Sequence, residues 1–238
     1  MRYLIWTLYS PLAAHGETGA MRHRPSWSRP ARSAVLGLVA GSLGLYRDDD
    51  EGHAALASGY GYAVRVDASG RSMQDYHTAE IPSGPAARRL RSRRAELEYG
   101  DLGCIPTTRE YRQDALYTVA LWSRSGARWS LDELAAALRQ PVFVPFLGRK
   151  CCALSLPVHP EIIEAETLPA ALAQRIPLPK AVAALMPISL DDHPELACDA
   201  DAVGVAVSRV TSRRDGYQGR RVYAERTEHV THLTNDTP

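Results

Sequence analysis

Hydrophobic and polar positions divide the chain into short periodic segments separated by proline- and glycine-marked breaks. Residues 3–9 are almost continuously apolar or β-favouring, the pattern of a strand covered on both faces. A polar stretch with Pro25 and Pro30 follows. Ser33 then stands in the N-cap position of a helix whose apolar residues Val35, Leu36, Leu38, Val39 and Leu43 recur at helical spacing. Gly44 is its natural stop, and residues 47–51 close the segment with exposed charge. Gly37 and Gly41 each cost that helix roughly 1 kcal/mol relative to alanine, which close packing on a sheet would offset. Tyr60, Tyr62, Val64 and Val66 alternate with Gly61, Ala63, Arg65 and Asp67, the period of a half-exposed strand. Residues 115–122 make another strong strand. Ser130 and Glu133 form a capping box, and Leu131, Leu134, Ala135 and Leu138 give the helix that follows one apolar face. Pro141 ends that helix, and residues 142–147 read as the next strand.

The order is strand, helix, strand, strand, helix, strand. It predicts an α+β fold with a ferredoxin-like (RRM-like) βαββαβ core over residues 1–155, the architecture of RNA-recognition modules. Residues 69–113 occupy the place of a simple hairpin turn. Loops longer than about 12–15 residues are uncommon inside compact domains unless functional or disordered, so this insertion is expected to be a projecting arm. It carries Arg88, Arg89, Arg91, Arg93 and Arg94, with Pro82, Pro85 and Pro106. Residues 156–238 are expected to form a small strand-containing C-terminal appendage. They hold a proline-punctuated stretch from 157 to 187, the alternating Val203, Val205 and Val207, a turn at Asp215-Gly216 and a partner strand over 221–230.

Charge changes the picture by its distribution. The 238 residues carry a net charge of only +1, yet residues 1–150 hold 20 Lys/Arg against 15 Asp/Glu and residues 151–238 hold 8 against 12. Arg22, Arg24, Arg29 and Arg32 follow one another with no acid between them, and the arm holds the second arginine run. One surface is therefore expected to attract phosphates; the plainer reading is two solvated charge runs. The four cysteines, Cys104, Cys151, Cys152 and Cys198, offer no C-x-x-C pair and read as thiols in a reducing compartment. The apolar run after Arg2 is short and interrupted by Ser10-Pro11, so it reads as a strand rather than a signal peptide. No segment reaches the length of a transmembrane helix, and the cytoplasm is the expected location.

The stretch Phe146-Leu147-Gly148-Arg149-Lys150 combines an aromatic ring, a glycine and two cations directly after an apolar run. A glycine lets backbone approach a phosphate closely, cations neutralise it, and a ring accepts a base at about 1–3 kcal/mol per stack. The set suits single-stranded nucleic acid; a tight turn capped by surface cations is the plainer alternative.

Several further stretches, in this order, carry a family resemblance: Arg32-Ser33 before Val35-Leu36-Gly37-Leu38, Leu43-Gly44 with Arg47-Asp48-Asp49, and Asp75-Tyr76-His77-Thr78. Arg109-Glu110-Tyr111 with Asp114-Ala115, Val119-Ala120-Leu121, and Leu147-Gly148-Arg149-Lys150 with Cys152 complete the set. In these, most of residues 1–155 resembles the CasD-type subunits of Cascade, the type I-E CRISPR surveillance complex, within the RAMP superfamily. The resemblance implies a ferredoxin-like core with an extended arm. It implies a non-catalytic subunit that binds the 5′ handle of the guide RNA and caps the backbone filament. The implied partners are guide RNA and the backbone and large subunits, with target DNA as a further candidate, no membrane and no cofactor or metal. Carried over residue by residue, Arg32, Arg149 and Lys150 would neutralise phosphates and the helix start at Ser33 would present N–H groups to one. Phe146 beside Gly148 would stack a base, and Arg109 would read or stack on another. Arg22 and Arg24 of the first arginine run join this RNA-binding set.

The rival function is a metal-independent endoribonuclease processing precursor guide RNA, in which Tyr76, His77 and Lys150 would between them supply the acid, base and electrostatic stabilisation. Its plainer counterpart has Tyr76 and His77 bracing the root of the arm. Other enzyme classes lack their motifs: Gly59-Tyr60-Gly61 has no third glycine, there is no G-x-x-x-x-G-K-[ST] or G-x-S-x-G, and no H-E-x-x-H.

Overall fold

The computed structural model of the chain describes residues 1–16, 22–85, 89–100, 102–178, 180–184, 186, 188–219 and 222–233. Arg88 of the arm, Pro187 and Arg221 lie outside the described residues. The strands are β1 (Arg2–Ala13), β2 (His23–Arg24), β3 (Tyr60–Ala68), β4 (Arg71–Pro82), β5 (Leu102–Ser123), β6 (Glu161–Glu164), β7 (Glu195–Cys198), β8 (Arg209–Gly219) and β9 (Val222–His232). They join in one sheet of order β6-β1-β5-β3-β7-β9-β8, with β2 and β4 pairing on β5. Except for the parallel β2–β5 contact, every described pair is antiparallel. The fold is mixed α/β around a large antiparallel sheet.

Alternation along β1 assigns its side chains to two cores. Leu4, Trp6 and Leu8 face one apolar cluster, which includes residues from helices α1 (Arg32–Leu43), α2 (Asp50–Gly59) and α4 (Leu131–Arg139). Tyr3 and Ile5 face a second cluster, built with Trp122, Leu196 and helix α5 (Leu168–Ala173). This second layer corrects the half-exposed reading of β3: all nine of its residues are buried. Its alternate polar residues are paired inside the protein. Arg65 donates to Asp67 at 2.5 Å and to the Leu172 carbonyl at 2.7 Å, and Thr118 donates to Asp67 at 2.6 Å.

Three local expectations need revision. Ser33 is not the cap of α1: Ala31 holds that position without a side-chain bond, and the Asp215 carboxylate from β8 accepts the Arg32 backbone N–H at 2.8 Å. Residues 47–51 are not merely a charged closure, since Asp49 accepts from the Gly52 N–H at 2.8 Å and caps α2 with Asp50 and Glu51 in its first turn. Residues 142–147 do not form a strand. Val142 and Phe143 donate backbone N–H groups to the Ser42 and Gly41 carbonyls, both at 3.1 Å, satisfying the open end of α1. The place beside β1 is taken by β6 instead, with Tyr3 opposite Ile163. The capping box of α4 is present in full, and Gly44 ends α1 at φ 80°.

Past the pairs Leu12–Gln113 and Ala13–Arg112 that tie it to β1, the first part of β5 is bonded to β4 and, at Thr108 and Arg109, to the short β2. Over twelve registered pairs, from Arg71 opposite Gln113 to Pro82 opposite Leu102, β4 and β5 form a two-stranded ribbon, with the short helix α3 (Arg93–Glu98) between them. Beyond residue 155 the sheet continues without a break, as β6 pairs with β1, β7 with β3, and β9 with β7. The C-terminal part is therefore built into the same sheet as the first 155 residues.

Between α1 and β7 to β9 lies a buried ion network. Arg226 donates to Asp199, Asp215 and Glu228, Arg29 to Glu195 and Glu228, and Arg124 to Asp199 and Asp201. His15 is buried edge-on to Tyr117 with ring centroids 5.1 Å apart. Burial, with the charges of Arg213 and Arg112, pushes its pKa down to about 3. The folded value lies below the unfolded value, so below about pH 6.5 the unfolded chain takes up a proton that the native state refuses, and stability falls with pH. We expect the unfolding free energy to drop by about 2 kcal/mol from this group between pH 8 and pH 5. Urea titration of wild type and His15→Phe at the two pH values checks this: the variant should lose less on acidification by about that amount.

Candidate nucleic-acid interface

At the root of the arm, β5 leaves the core sheet carrying Arg109, Glu110 and Tyr111. Strand β2 lies parallel beside it, with Arg24 opposite Arg109, and the Thr108 N–H donates to the Arg22 carbonyl at 2.7 Å. The Glu110 carboxylate holds this neighbouring segment in place. It accepts the Ser26 N–H at 3.2 Å and lies 3.4 Å from His23 Nε2. The stretch after α4 supplies the other wall. Leu147 is buried as an anchor, its carbonyl accepts the Ala14 N–H at 3.0 Å, and its N–H donates to the Cys152 carbonyl at 2.8 Å. Phe146 before it is 39% exposed.

Gly148 makes the turn possible. Its φ is +84°, and a Cβ there would sit 1.7 Å from the Ala14 carbonyl oxygen, so only glycine fits both the conformation and the space. Arg149 then lies over the Tyr111 ring at 4.3 Å and donates to the Glu110 carbonyl at 3.2 Å and the Arg24 carbonyl at 3.5 Å. It ties the turn to both strands of the root. Lys150 is exposed, with no hydrogen bond or ion pair among the described residues.

Backbone pairing and the Arg149 contacts thus bring Arg24, Arg109 and the Arg149-Lys150 turn, far apart in sequence, to one place, and Phe146 is exposed two residues before Gly148. Two carboxylates lie close by, Glu110 on β5 and Asp75 opposite Arg109 on β4, and the four cations outnumber them, a balance that favours a polyanion. The Arg109 Nε is buried without a hydrogen-bond partner among the described residues. Arg22 is exposed on the same segment.

Two of the predicted residues fall elsewhere. Arg32 is 4% exposed and does not reach the interface. Its guanidinium donates to Asp199 at 3.1 Å and to the Ala57 and Tyr60 carbonyls at 2.6 and 2.7 Å, which corrects its expected role at a phosphate. Ser33 sits one residue inside α1, whose leading N–H already meets Asp215, so the expected phosphate seat at this helix start holds a carboxylate.

The nuclease constellation does not assemble on one side of the ribbon. Tyr76 and His77 are successive residues of a regular ladder, opposite Thr108 and Thr107, and so point to opposite faces. His77 Nδ1 lies 2.8 Å from Asp75 on the exposed arm.

A family model described as CRISPR-associated protein (Cas_Cas5) matches residues 3–232. The chain belongs to this Cas5 family. The Escherichia coli (strain K12) protein named CRISPR system Cascade subunit CasD is 35% identical over 164 residues, covering 66% of this chain and 69% of its own. A chain of a CRISPR RNA-guided surveillance complex superposes with a TM-score of 0.63 at 21% identity, over 97% of this chain and 89% of its own. A second solved structure, of a Cas protein, gives a TM-score of 0.60 at 24% identity over 98% and 96%. In this Cas5 chain Glu110 and Tyr111, quoted in the sequence only as part of a motif and given no role there, position the 22–26 segment and Arg149. Period-two alternation offered a signal for Tyr111, since it shares a face with Arg109.

Proposed function

We infer that the chain is a non-catalytic subunit of a Cascade-type CRISPR surveillance complex that holds the 5′ handle of the guide RNA at the root of its arm. The observation that carries this reading is the meeting of Arg24, Arg109 and the Arg149-Lys150 turn at the arm root, with Phe146 exposed just before that turn, on a chain 35% identical to a protein named as a Cascade subunit. Strands β1, β3, β5 and β6, with α1 and α4, supply the βαββαβ order of a ferredoxin-like core, β6 serving as its fourth strand. The arm and the rest of the surface then meet the backbone and large subunits, with target DNA as a further candidate partner. Opposed side chains at Tyr76 and His77 support binding over cleavage. Among the described residues no helix is long and apolar enough to cross a membrane, and assembly on guide RNA places the protein's work in the cytoplasm.

The roles are separable by salt. In the complex assembled with labelled 5′-handle RNA, Lys150→Ala should reduce the slope of log K against log salt by about 0.7, the loss of one single-strand phosphate contact. Phe146→Ala should weaken binding by about 1–3 kcal/mol with little change in slope. If both variants bind as wild type across the series, the handle does not lie on this surface. Specific cuts in repeat RNA by the purified chain would replace this reading with the nuclease.

A further inference from the structure

The Cys151 and Cys152 sulfurs lie 4.0 Å apart at the foot of the 147–150 turn, and neither thiol has a part in the interface described above. One is open and the other closed. Cys151 is exposed, whereas Cys152 is 1% exposed and belongs with Leu147 to the main apolar cluster. The backbone around them shapes the turn. The Cys152 N–H donates to the Arg149 carbonyl at 2.8 Å, the Cys152 carbonyl accepts the Leu147 N–H at 2.8 Å, and Phe146 bridges Ala153. Burial, with the neighbouring Cys151 thiol, pushes the Cys152 pKa up to about 11. Cys151 is therefore the sulfur that meets an oxidant as a nucleophile.

Joining the two sulfurs changes the turn. A disulfide bond is about 2.05 Å long and usually links Cα atoms about 4.4–6.8 Å apart, whereas adjacent Cα atoms stay about 3.8 Å apart. The ring closed by a disulfide between neighbours contains their own peptide unit, so closure turns the 151–152 peptide through the ψ of one residue and the φ of the next. Cys152 is held in the core, and the movement falls on residues 149–151, where the Cys152 N–H leaves the Arg149 carbonyl. A disulfide forced into so short a link is easily reduced, the character of a regulatory bond rather than a structural one.

We propose that Cys151 and Cys152 form a reversible oxidation site, at which hydrogen peroxide converts the two thiols to a disulfide and opens the turn that carries Arg149 and Lys150. The Cys151 thiolate attacks one peroxide oxygen, forming an S–O bond as the O–O bond breaks, and the departing hydroxide takes the Cys151 proton to become water. The Cys152 sulfur then displaces hydroxide from the Cys151 sulfenic acid, and its proton leaves with that hydroxide as a second water. The thiol pair gives up two electrons, the peroxide is reduced by them, and a dithiol reverses the change. With the turn open, the guide RNA handle is held less tightly. That consequence rests on the handle reading of this turn.

For the test, the full chain is treated with hydrogen peroxide, freed of excess, and assembled with labelled 5′-handle RNA and the other proteins of its complex, before and after dithiothreitol. Peptide mapping should show Cys151 and Cys152 joined within one peptide, lighter by two hydrogens and closed to iodoacetamide. Cys104, exposed and with no adjacent cysteine in the chain, is the internal control. Exchange of the Cys152 N–H should speed up by about tenfold or more, handle affinity should fall by about tenfold, and dithiothreitol should restore both. Cys151→Ser should bind as the reduced wild type does and stay insensitive to peroxide. Oxidation without a 151–152 link, a link that leaves the Cys152 N–H protected, or an equal loss of affinity in Cys151→Ser overturns the proposal and leaves the handle reading standing. A reversible link that opens the turn with handle affinity unchanged overturns the handle reading at this turn and leaves the oxidation site standing.

Discussion

Arg226→Met is expected to lower the unfolding free energy by about 3–5 kcal/mol, the penalty for stranding buried charge when one partner of a buried pair is removed. The Arg226 side chain is 14% exposed and meets three carboxylates that are more buried still. Its guanidinium donates to Asp215 at 2.8 and 3.1 Å, to Asp199 at 2.8 Å and to Glu228 at 3.1 Å. The loss falls unevenly. Asp199 keeps Arg32 and Arg124, and Glu228 keeps Arg29, whereas Asp215 is left with the Arg32 backbone N–H. Adding Asp215→Asn to Arg226→Met should therefore recover part of the loss, because the stranded charge is removed with its partner. Arg94→Met on α3 is the control: that pair is exposed on both sides and should shift stability by less than about 0.5 kcal/mol. Urea unfolding of the four proteins decides it. A loss for Arg226→Met no larger than that for Arg94→Met would mean that the network does not hold α1 to the C-terminal strands.

Gly148→Ala is expected to abolish measurable handle binding while leaving the sheet folded. The left-handed φ of +84° alone costs an alanine about 1–2 kcal/mol. The added Cβ, 1.7 Å from the Ala14 carbonyl oxygen, meets buried backbone that continues directly from β1 and whose N–H is bonded to the Leu147 carbonyl, so relief must come from the turn. The turn must open, and Arg149 and Lys150 move with it. Gly126→Ala separates the two effects, since Gly126 has φ +80° with nothing within 4 Å of its Cβ. It should lower stability by about 1–2 kcal/mol and leave RNA affinity at wild type. Handle binding by the assembled complex and thermal unfolding of the isolated chain read the two quantities. Wild-type affinity in Gly148→Ala would remove the 147–150 turn from the RNA site.

The candidate site was legible as parts rather than as a place. The Phe146 to Lys150 stretch stood out because its residue types suit a nucleic acid, and the turn at Gly148 is as tight as its glycine suggested. That Arg149 stacks on Tyr111 and reaches the Arg24 carbonyl was not legible, because those partners lie 38 and 125 residues away and no local period links them. Arg32 shows the opposite failure. The family resemblance carried Arg32 over as a phosphate ligand, and only the arrival of Asp199, 167 residues later, makes it an interior ion pair.

What the sequence by itself determined is local: the apolar run of β1, the helical spacing and Gly44 stop of α1, the alternation of β3 and the capping box of α4. Each follows from interactions between residues a few positions apart, whose periods and caps are written in consecutive letters. What only the tertiary structure decided is which strand lies beside which. The edge of β1 was open to either residues 142–147 or β6, and the choice went to β6 because the earlier stretch satisfies the carbonyls at the end of α1. Alternation told that β3 has two faces but not that a second layer covers the polar one, burying Arg65 and Asp67 as a pair. Pairing and burial of that kind depend on surfaces brought together from distant parts of the chain. They are fixed by the competition among all such surfaces for the same neighbours, and no single stretch carries that information.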